Sequence, residues 1–181
     1  VYARAKYSPE KPEDYHGVVL KYLPTVYFKN FEAIVHTFFA TMHALFQDYE
    51  IIHYHGVGPA TLSWIPRLFA RKAKTIVTFH SQDQFHTKWG LIARTYLRLG
   101  NWAAAKFPHY CIAVSHEIQV YCRDNYHREV VFIPNGSTVK EIEDVDELAP
   151  FGLEKDGYLL NVGRIVPQKG LQYLIEACLL Y

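Results

Sequence analysis

The sequence predicts an α/β protein built around a doubly wound parallel sheet. Short apolar and β-branched runs alternate with longer segments that repeat apolar residues at helical spacing. This alternation, with short loops and no internal repeat, is typical of parallel strands joined by crossover helices. Polar signatures directly follow four predicted strands: His55-Gly56, His80 to Asp83, Ser115-His116 and Asn135-Gly136. Because open α/β sheets bind ligands off the carboxyl ends of their strands, these segments are expected to line one cleft.

The first part of the chain is predicted to hold two strands and an amphipathic helix. Val1 to Arg4 is interpreted as the end of a strand, and Gly17 to Pro24 as the next strand. Between Phe31 and Phe46, apolar residues recur at i, i+3, i+4 and i+7, which predicts a helix with an unusually aromatic face. Packing of that face on the sheet is expected, and contact with a membrane surface is the alternative.

The middle of the chain alternates regularly between strands and helices. Strands are predicted at residues 49–54, 74–79, 110–114 and 129–133. Helices are predicted from Pro59 to about Arg71, from about Trp89 to Phe107, and from Glu117 to Asn125. Four parallel strands of one sheet are therefore expected in this region.

The composition is that of a globular protein without strong electrostatic character. The chain has 181 residues, half of them apolar, and a formal net charge of +1. A dedicated nucleic-acid-binding protein would be more basic, and a spanning helix would need ~18 to 20 consecutive apolar residues, a run the sequence lacks. Residues 1–134 carry 15 Lys and Arg against 10 Asp and Glu, whereas residues 135–181 carry 4 against 8. This change of sign predicts a domain boundary near Pro134 to Pro150.

The three cysteines, Cys111, Cys122 and Cys178, lie in apolar patterns and form no C-x-x-C pair. They are interpreted as reduced core residues of a cytosolic protein. The expected location is therefore the cytoplasm, with peripheral attachment to the cytoplasmic face of the membrane as a further expectation.

A strand, a basic loop and a helix are predicted near the end of the sequence. Residues 158–162 form an apolar run typical of a buried parallel strand, and residues 171–180 repeat apolar residues at helical spacing. Gly163 allows a sharp turn after the strand. Arg164 and Lys169 flank this turn beside a helix N-terminus, where free N–H groups and two cations would suit a diphosphate. Two solvated loop cations are the alternative interpretation.

The pattern V-G-R-x-x-P-x-K-G, followed by L-x-x-L-I-E-A, resembles the opening of the donor-binding domain in retaining glycosyltransferases of family 4. These enzymes have the GT-B fold, which pairs two Rossmann-like domains. The resemblance implies that Gly163, Arg164 and Lys169 bind the diphosphate of a sugar nucleotide. It extends over nearly the whole chain, and segments such as His53 to Pro59 and Trp64 to Leu68 are similar to rhamnosyltransferase-like enzymes of bacterial cell-surface polysaccharide synthesis.

The resemblance also implies a division into three segments. Residues 1–136 would form an acceptor-side N-terminal Rossmann-like domain that lacks its first strand, and residues 137–157 an acidic linker. Residues 158–181 would be the first strand and helix of a truncated donor-binding domain. A Gly-rich loop of the family would precede Val1 and an E-x7-E motif would follow Tyr181, so the 181-residue chain alone is expected to fold poorly and to be inactive.

The segment Thr78 to Asp83 matches the family pattern T-x-H-x-x-D at a strand end. In the family this histidine reaches the donor sugar beside the reacting carbon, so the resemblance assigns a catalytic position to His80. Ser81 replaces the glycine that family members normally have. A helix-capping or loop-binding role is the alternative for His80, and Asp83 either orients an acceptor hydroxyl or caps the following turn.

Three further residues are expected to line the cleft. His53 and His55 lie two apart on a strand and share one side of it, but no carboxylate or thiolate accompanies them at metal-ligand spacing. His55 is therefore assigned to the cleft, and no metal is expected. Ser115 and Asn135 belong to the family pattern V-S followed by P-N-G. Their simpler roles are a helix N-cap and a tight turn.

The resemblance implies an enzyme that moves a sugar from a nucleotide-diphosphate sugar to an acceptor hydroxyl with retention, in cell-surface polysaccharide or glycolipid synthesis. Its expected partners are the nucleotide sugar and a saccharide or lipid-linked acceptor, without a metal, another cofactor or nucleic acid. Contact with the inner membrane surface is the alternative to ordinary packing, and it is suggested by basic side chains: Arg67, Arg71, Lys72, Lys74, Lys88, Arg94 and Arg98. The alternatives are a catalytically inactive sugar-nucleotide-binding subunit and a GT-B epimerase of the sugar nucleotide.

Overall fold

The computed structural model of the protein describes residues 1–28, 31–70, 72–81, 90–138 and 146–180. The chain divides into two compact units, Val1–Asn135 and Gly136–Tyr181. The assignment of these units to an acceptor-side domain and a donor-binding domain stays a prediction.

The first unit begins with four short strands and a long helix: β1 (Tyr2–Ala3), β2 (Asp14–Tyr15), β3 (Val18–Val19), β4 (Lys21–Tyr22) and α1 (Glu32–Leu45). Strands β1 and β4 pair in parallel, whereas β2 and β3 form an antiparallel hairpin. The prediction of one continuous strand from Gly17 to Pro24 is therefore wrong, because Leu20 separates β3 from β4 and these two strands pair with different partners. His16 and Gly17 have positive φ angles of 51° and 82°, as in a two-residue type I′ turn, and this turn reverses the chain before β3.

The remainder of the first unit alternates strands and helices in the predicted order: β5 (Ile51–His55), α2 (Val57–Ala60), α3 (Trp64–Phe69), β6 (Lys74–Phe79), α4 (Leu91–Lys106), β7 (Tyr110–Ala113), α5 (His116–Tyr126) and β8 (Val131–Phe132). The four strands form one parallel sheet in the order β5-β6-β7-β8. The structure thus confirms the predicted α/β class, with a parallel sheet flanked by helices.

The helix predicted from Pro59 to about Arg71 is two short helices in the structure, α2 and α3. Pro59 and Pro66 each lie in the first turn of their own helix, where the missing N–H has no intrahelical partner to lose. In one continuous helix, Pro66 would occupy an interior position and break the hydrogen-bond ladder. The two prolines therefore divide this crossover.

One face of the sheet carries the hydrophobic core of the first unit. Tyr54, Val77 and Ala113 project from the strands into a cluster that includes Val57 of α2 and Leu97 of α4. Residues on the opposite face of the same strands, such as Ile51 and Tyr110, are exposed in the described part of the chain. The helices α2, α4 and α5 thus contribute to a core on one side, and the other side carries the alternate residues, among them His53 and His55.

Polar side chains connect helix α1 to strands β1 and β5 by hydrogen bonds. The hydroxyls of Thr41 and Tyr54 are 2.9 Å apart in the core, and the Tyr2 hydroxyl lies 2.8 Å from Nδ1 of His43. Phe38 and Phe39, by contrast, are 45% and 41% exposed, so the aromatic face is only partly covered by the described residues.

The second unit contains the predicted helix, here α6 (Leu171–Cys178). No strand is assigned to residues 158–162, whose backbone pairs with no strand in the described part of this unit. The strand prediction for this segment is therefore wrong for the structure, because an apolar run becomes a strand only when a partner satisfies its backbone groups. Cys178 is exposed, unlike the buried Cys111 and Cys122, which corrects its prediction as a core residue.

Candidate functional site

Two predicted site residues meet at the carboxyl edge of the parallel sheet. His55 is the last residue of β5, and His80 directly follows β6. Their ring nitrogens, Nδ1 of His55 and Nε2 of His80, lie 3.1 Å apart at hydrogen-bonding distance. Both side chains are exposed, so this pair is open to a ligand approaching the strand ends.

The register of the sheet explains why these two histidines meet. His55 lies opposite Thr78 in the β5–β6 ladder, and His80 is two residues beyond Thr78. Side chains two apart on a strand point to the same side, so both histidines project from the face opposite the core. Gly56 then leaves β5 with a φ of 91°, a left-handed conformation that suits glycine, and its N–H donates to the Thr78 carbonyl.

A third histidine, in the middle of β5, contacts the ring of His55. His53 packs its ring against that of His55, with centroids 4.1 Å apart, and its Nε2 lies 2.8 Å from the Thr78 hydroxyl. Partial desolvation lowers the pKa of His53, and the neighbouring imidazoles of His55 and His80 lower it further. Desolvation and His80 likewise lower the pKa of His55. These shifts favour the neutral imidazoles of His53 and His55, which can both donate and accept hydrogen bonds.

Ser115 follows β7 and caps the next helix. Its side-chain oxygen accepts a hydrogen bond from the Ile118 N–H at 3.3 Å, which confirms the N-cap interpretation. A hydrogen bond from Ser115 lowers the pKa of the Glu117 carboxyl. The Ser115 side chain is thus engaged in a helix cap near the carboxyl end of β7.

Asn135 follows β8 in an exposed loop. The tight turn expected at Asn135-Gly136 is absent, because no turn is assigned there and Gly136 is not among the residues with positive φ. Next to this loop, the ring of His116 stacks on Phe132 with centroids 3.9 Å apart.

The predicted donor-binding residues lie in the second unit. Gly163, Arg164 and Lys169 are exposed. The Arg164 carbonyl accepts a hydrogen bond from the Val166 N–H at 2.9 Å, so the loop is compact. Gly170, with a φ of 67°, precedes α6 and has no side chain to cap the helix N-terminus. Exposed cations and N–H groups without a side-chain cap thus occur together, an arrangement that favours anion binding.

Asp83 lies outside the described residues, as do Arg71 and Lys88. Over the described ranges, no group of three or more His, Cys, Asp or Glu side chains has a geometry that could hold a metal ion.

Residues 1–140 match the protein family described as Glycosyltransferase Family 4, a range that contains the histidine pair and the whole parallel sheet. A search of curated proteins found no significant match.

Proposed function

Because the chain belongs to glycosyltransferase family 4, we propose that it transfers a sugar from a nucleotide-diphosphate donor to an acceptor hydroxyl with retention of configuration. Family membership itself establishes a glycosyltransferase-type function with a sugar donor and an acceptor. The donor class, the stereochemistry and a role in bacterial cell-surface polysaccharide or glycolipid synthesis belong to the proposal.

The observation that supports the proposal best is the histidine pair at the carboxyl edge of the sheet. His80 is exposed, and its ring is held by His55 at 3.1 Å rather than buried in the core. An exposed side chain that is held in place by a neighbour suits a ligand contact better than a packing role. In the proposal, His80 contacts the transferring sugar beside the reacting carbon.

Arg164 and Lys169 are proposed to bind the donor diphosphate, with Gly163 allowing the backbone to approach it. Their exposure and the uncapped N-terminus of α6 support this role. Negative charge grows on the diphosphate as it leaves, so two cations placed there would stabilise the transition state more than the ground state.

The proposed transfer takes place on one face of the sugar. The bond between the anomeric carbon and the diphosphate oxygen breaks, and the acceptor oxygen forms its bond to the same carbon from the same side. The acceptor proton passes to an oxygen of the departing phosphate. Charge neutralisation is assigned to Arg164 and Lys169 rather than to a bound cation, so transfer is expected to persist in EDTA.

Donor turnover by the full-length protein tests this function. The protein is incubated with UDP-, GDP-, ADP- and dTDP-sugars, and release of the nucleoside diphosphate is measured with and without acceptor. One donor is expected to be consumed, with activity lost in Arg164→Ala and retained in Lys155→Ala. Lys155 is a matched control because it is an exposed cation of the same unit outside the loop.

The same experiment separates the alternatives. Tight binding of a donor without turnover would favour an inactive sugar-nucleotide-binding subunit. Conversion of the donor into an epimer would favour an epimerase. Absence of binding by every donor would contradict the assignment of Arg164 and Lys169.

Peripheral contact with an anionic membrane surface is also proposed, and helix α4 offers the surface for it. Its outward side combines apolar side chains with cations and no acidic residue: Leu91, Ile92, Leu99, Trp102, Arg98 and Lys106. Ile92 is 88% exposed and Trp102 is 47% exposed. Apolar and aromatic side chains beside cations are typical of helices that lie in a membrane interface. No helix in the described ranges has the length and hydropathy needed to cross a bilayer.

A further inference from the structure

We propose that His55 is a positioning residue that fixes the tautomer and orientation of His80 through the hydrogen bond between their rings. This inference rests on the proposed role of His80 at the donor sugar. It adds a second residue to the site and assigns the sugar contact to a particular ring nitrogen.

The geometry of the pair is that of a directed hydrogen bond. Nδ1 of His55 and Nε2 of His80 are 3.1 Å apart, the ring centroids are 5.4 Å apart and the ring planes are inclined by 22°. Such a centroid distance is what two imidazoles have when they are joined end to end through the N···N contact. The contact therefore lies near both ring planes, in the direction of the N–H bond and the lone pair.

This bond links the chemical roles of the two nitrogens of His80. A neutral imidazole carries its proton on one nitrogen only, so the other nitrogen is an acceptor. Once Nε2 of His80 is committed to His55 as donor or acceptor, Nδ1 has the opposite role. Nδ1 is then the nitrogen that meets the sugar.

His55 is itself held by the sheet. The ring of His53 packs on it, and His53 is anchored to the hydroxyl of Thr78, which is buried and lies opposite His55 in the ladder. The series Thr78–His53–His55–His80 thus connects the exposed histidine to two paired strands. A ring held by strands keeps its orientation better than one held by a loop.

His55 does not serve the hydrophobic core. The core side of β5 is occupied by Tyr54, which is 6% exposed, whereas the His55 side chain is exposed on the other side. Removing the His55 ring would leave no cavity in the core, so a loss of activity in its variants would come from the hydrogen bond. Supporting partners of this kind affect rates because they preorganise the group that contacts the substrate.

The first test reads the tautomer directly. Full-length protein labelled with ¹⁵N-histidine is studied by NMR near neutral pH, and His80 is assigned from a His80→Gln spectrum. One tautomer of His80 is expected in the native protein, and averaged ¹⁵N shifts of two tautomers in His55→Ala. The same His80 shifts in both proteins would overturn the proposal.

The second test measures transfer by three variants of His55 with the donor identified above. His55→Ala is expected to lower kcat about tenfold with a much smaller change in KM. His55→Asn, whose amide can replace Nδ1, is expected to recover most of the rate, whereas His55→Gln, whose amide lies nearer the position of Nε2, is not. Equal recovery of kcat in His55→Asn and His55→Gln would contradict the proposal that Nδ1 of His55 positions His80. A change confined to KM in His55→Ala would contradict it as well.

His127→Asn is the matched control. His127 is exposed in the left-handed region with a φ of 50°, which asparagine tolerates, and it lies outside the site. This variant is expected to transfer at the native rate. If the native protein turns over no donor, the proposed function fails, while the NMR measurement still decides whether His55 fixes His80.

Discussion

Gly100 of α4 lies against the backbone of Val57 in α2. A Cβ atom on Gly100 would come within 2.4 Å of the Val57 carbonyl oxygen. Only a residue without a side chain allows this approach, and α4 then buries Leu97 and Ala104 in the core beside Val57. The position of the crossover helix therefore depends on one glycine.

Gly100→Ala is expected to destabilise the protein by about 1–3 kcal/mol, because a backbone oxygen cannot move away as the end of a side chain can. Urea unfolding followed by circular dichroism measures the change in the free energy of unfolding. Gly58→Ala is the control, since Gly58 lies in α2 and a Cβ there would meet no atom within 4 Å. A loss of stability in Gly58→Ala that equals the loss in Gly100→Ala would contradict this explanation.

Arg128 joins the end of α5 to the loop before β7. One of its terminal nitrogens, Nη2, donates to the carbonyls of Pro108 and His109 at 2.9 and 3.0 Å. Arg128→Met removes both donors and leaves the carbonyls without this partner, so a loss of about 1–3 kcal/mol is expected. Thermal and urea unfolding would measure it.

Arg123→Met provides the comparison for Arg128. Arg123 forms an exposed ion pair with the adjacent Asp124, and exposed pairs contribute less than about 1 kcal/mol. A smaller loss of stability is expected than for Arg128→Met. Equal effects of the two substitutions would show that the carbonyl contacts of Arg128 contribute little.

Stability is expected to fall as the pH drops below about 6.5, the ordinary pKa of histidine in an unfolded chain. His53 and His55 have lowered pKa values in the folded protein, chiefly through desolvation and then through neighbouring imidazoles. At pH values between the folded and unfolded pKa, the unfolded chain therefore binds more protons than the folded chain. The stabilisation is fully present above the unfolded pKa and is lost as the pH falls through the lower folded pKa.

Urea unfolding between pH 7.5 and 5 tests this dependence. The groups that face His53 are the imidazoles of His55 and His80 and the uncharged hydroxyl of Thr78. The double variant His53→Gln, His55→Asn is expected to lose less stability on acidification than the native protein. The stability of the double variant is still expected to depend on pH through His36 and His109, because the pKa values of these two residues are also lowered chiefly by desolvation. An unchanged pH dependence in the double variant would contradict the prediction.

Binding of the full-length protein to vesicles tests the membrane surface of α4. Co-sedimentation is expected with vesicles that contain phosphatidylglycerol, is expected to weaken with salt, and should be much lower with phosphatidylcholine alone. Substituting Leu99 and Trp102 by glutamine should reduce binding, because both side chains are exposed on the outward side of α4. Leu68→Gln, at an exposed position of α3, is the control for a general loss of apolar surface. Unchanged vesicle binding after the substitutions of Leu99 and Trp102 would contradict the assignment of the membrane contact to α4.

Much of the site could be predicted from local sequence, but its internal contacts could not. His55 and His80 each follow an apolar run, and the parallel class places both at one edge. The bond between them depends on the register that sets His55 opposite Thr78, and register arises from the assembled sheet. The anchoring of His53 on Thr78 depends on the same pairing.

The sequence by itself determined the α/β class and the alternation of strands and helices along the chain. These properties follow from local periodicity and from the rule that crossover helices join parallel strands. The tertiary structure decided the remainder. Residues 158–162 are apolar but have no partner strand in the described part of the second unit, and the strand predicted from Gly17 to Pro24 is divided into β3 and β4, which pair with different strands. The physical reason is that pairing, register and burial are properties of two segments together, and neither segment carries them alone.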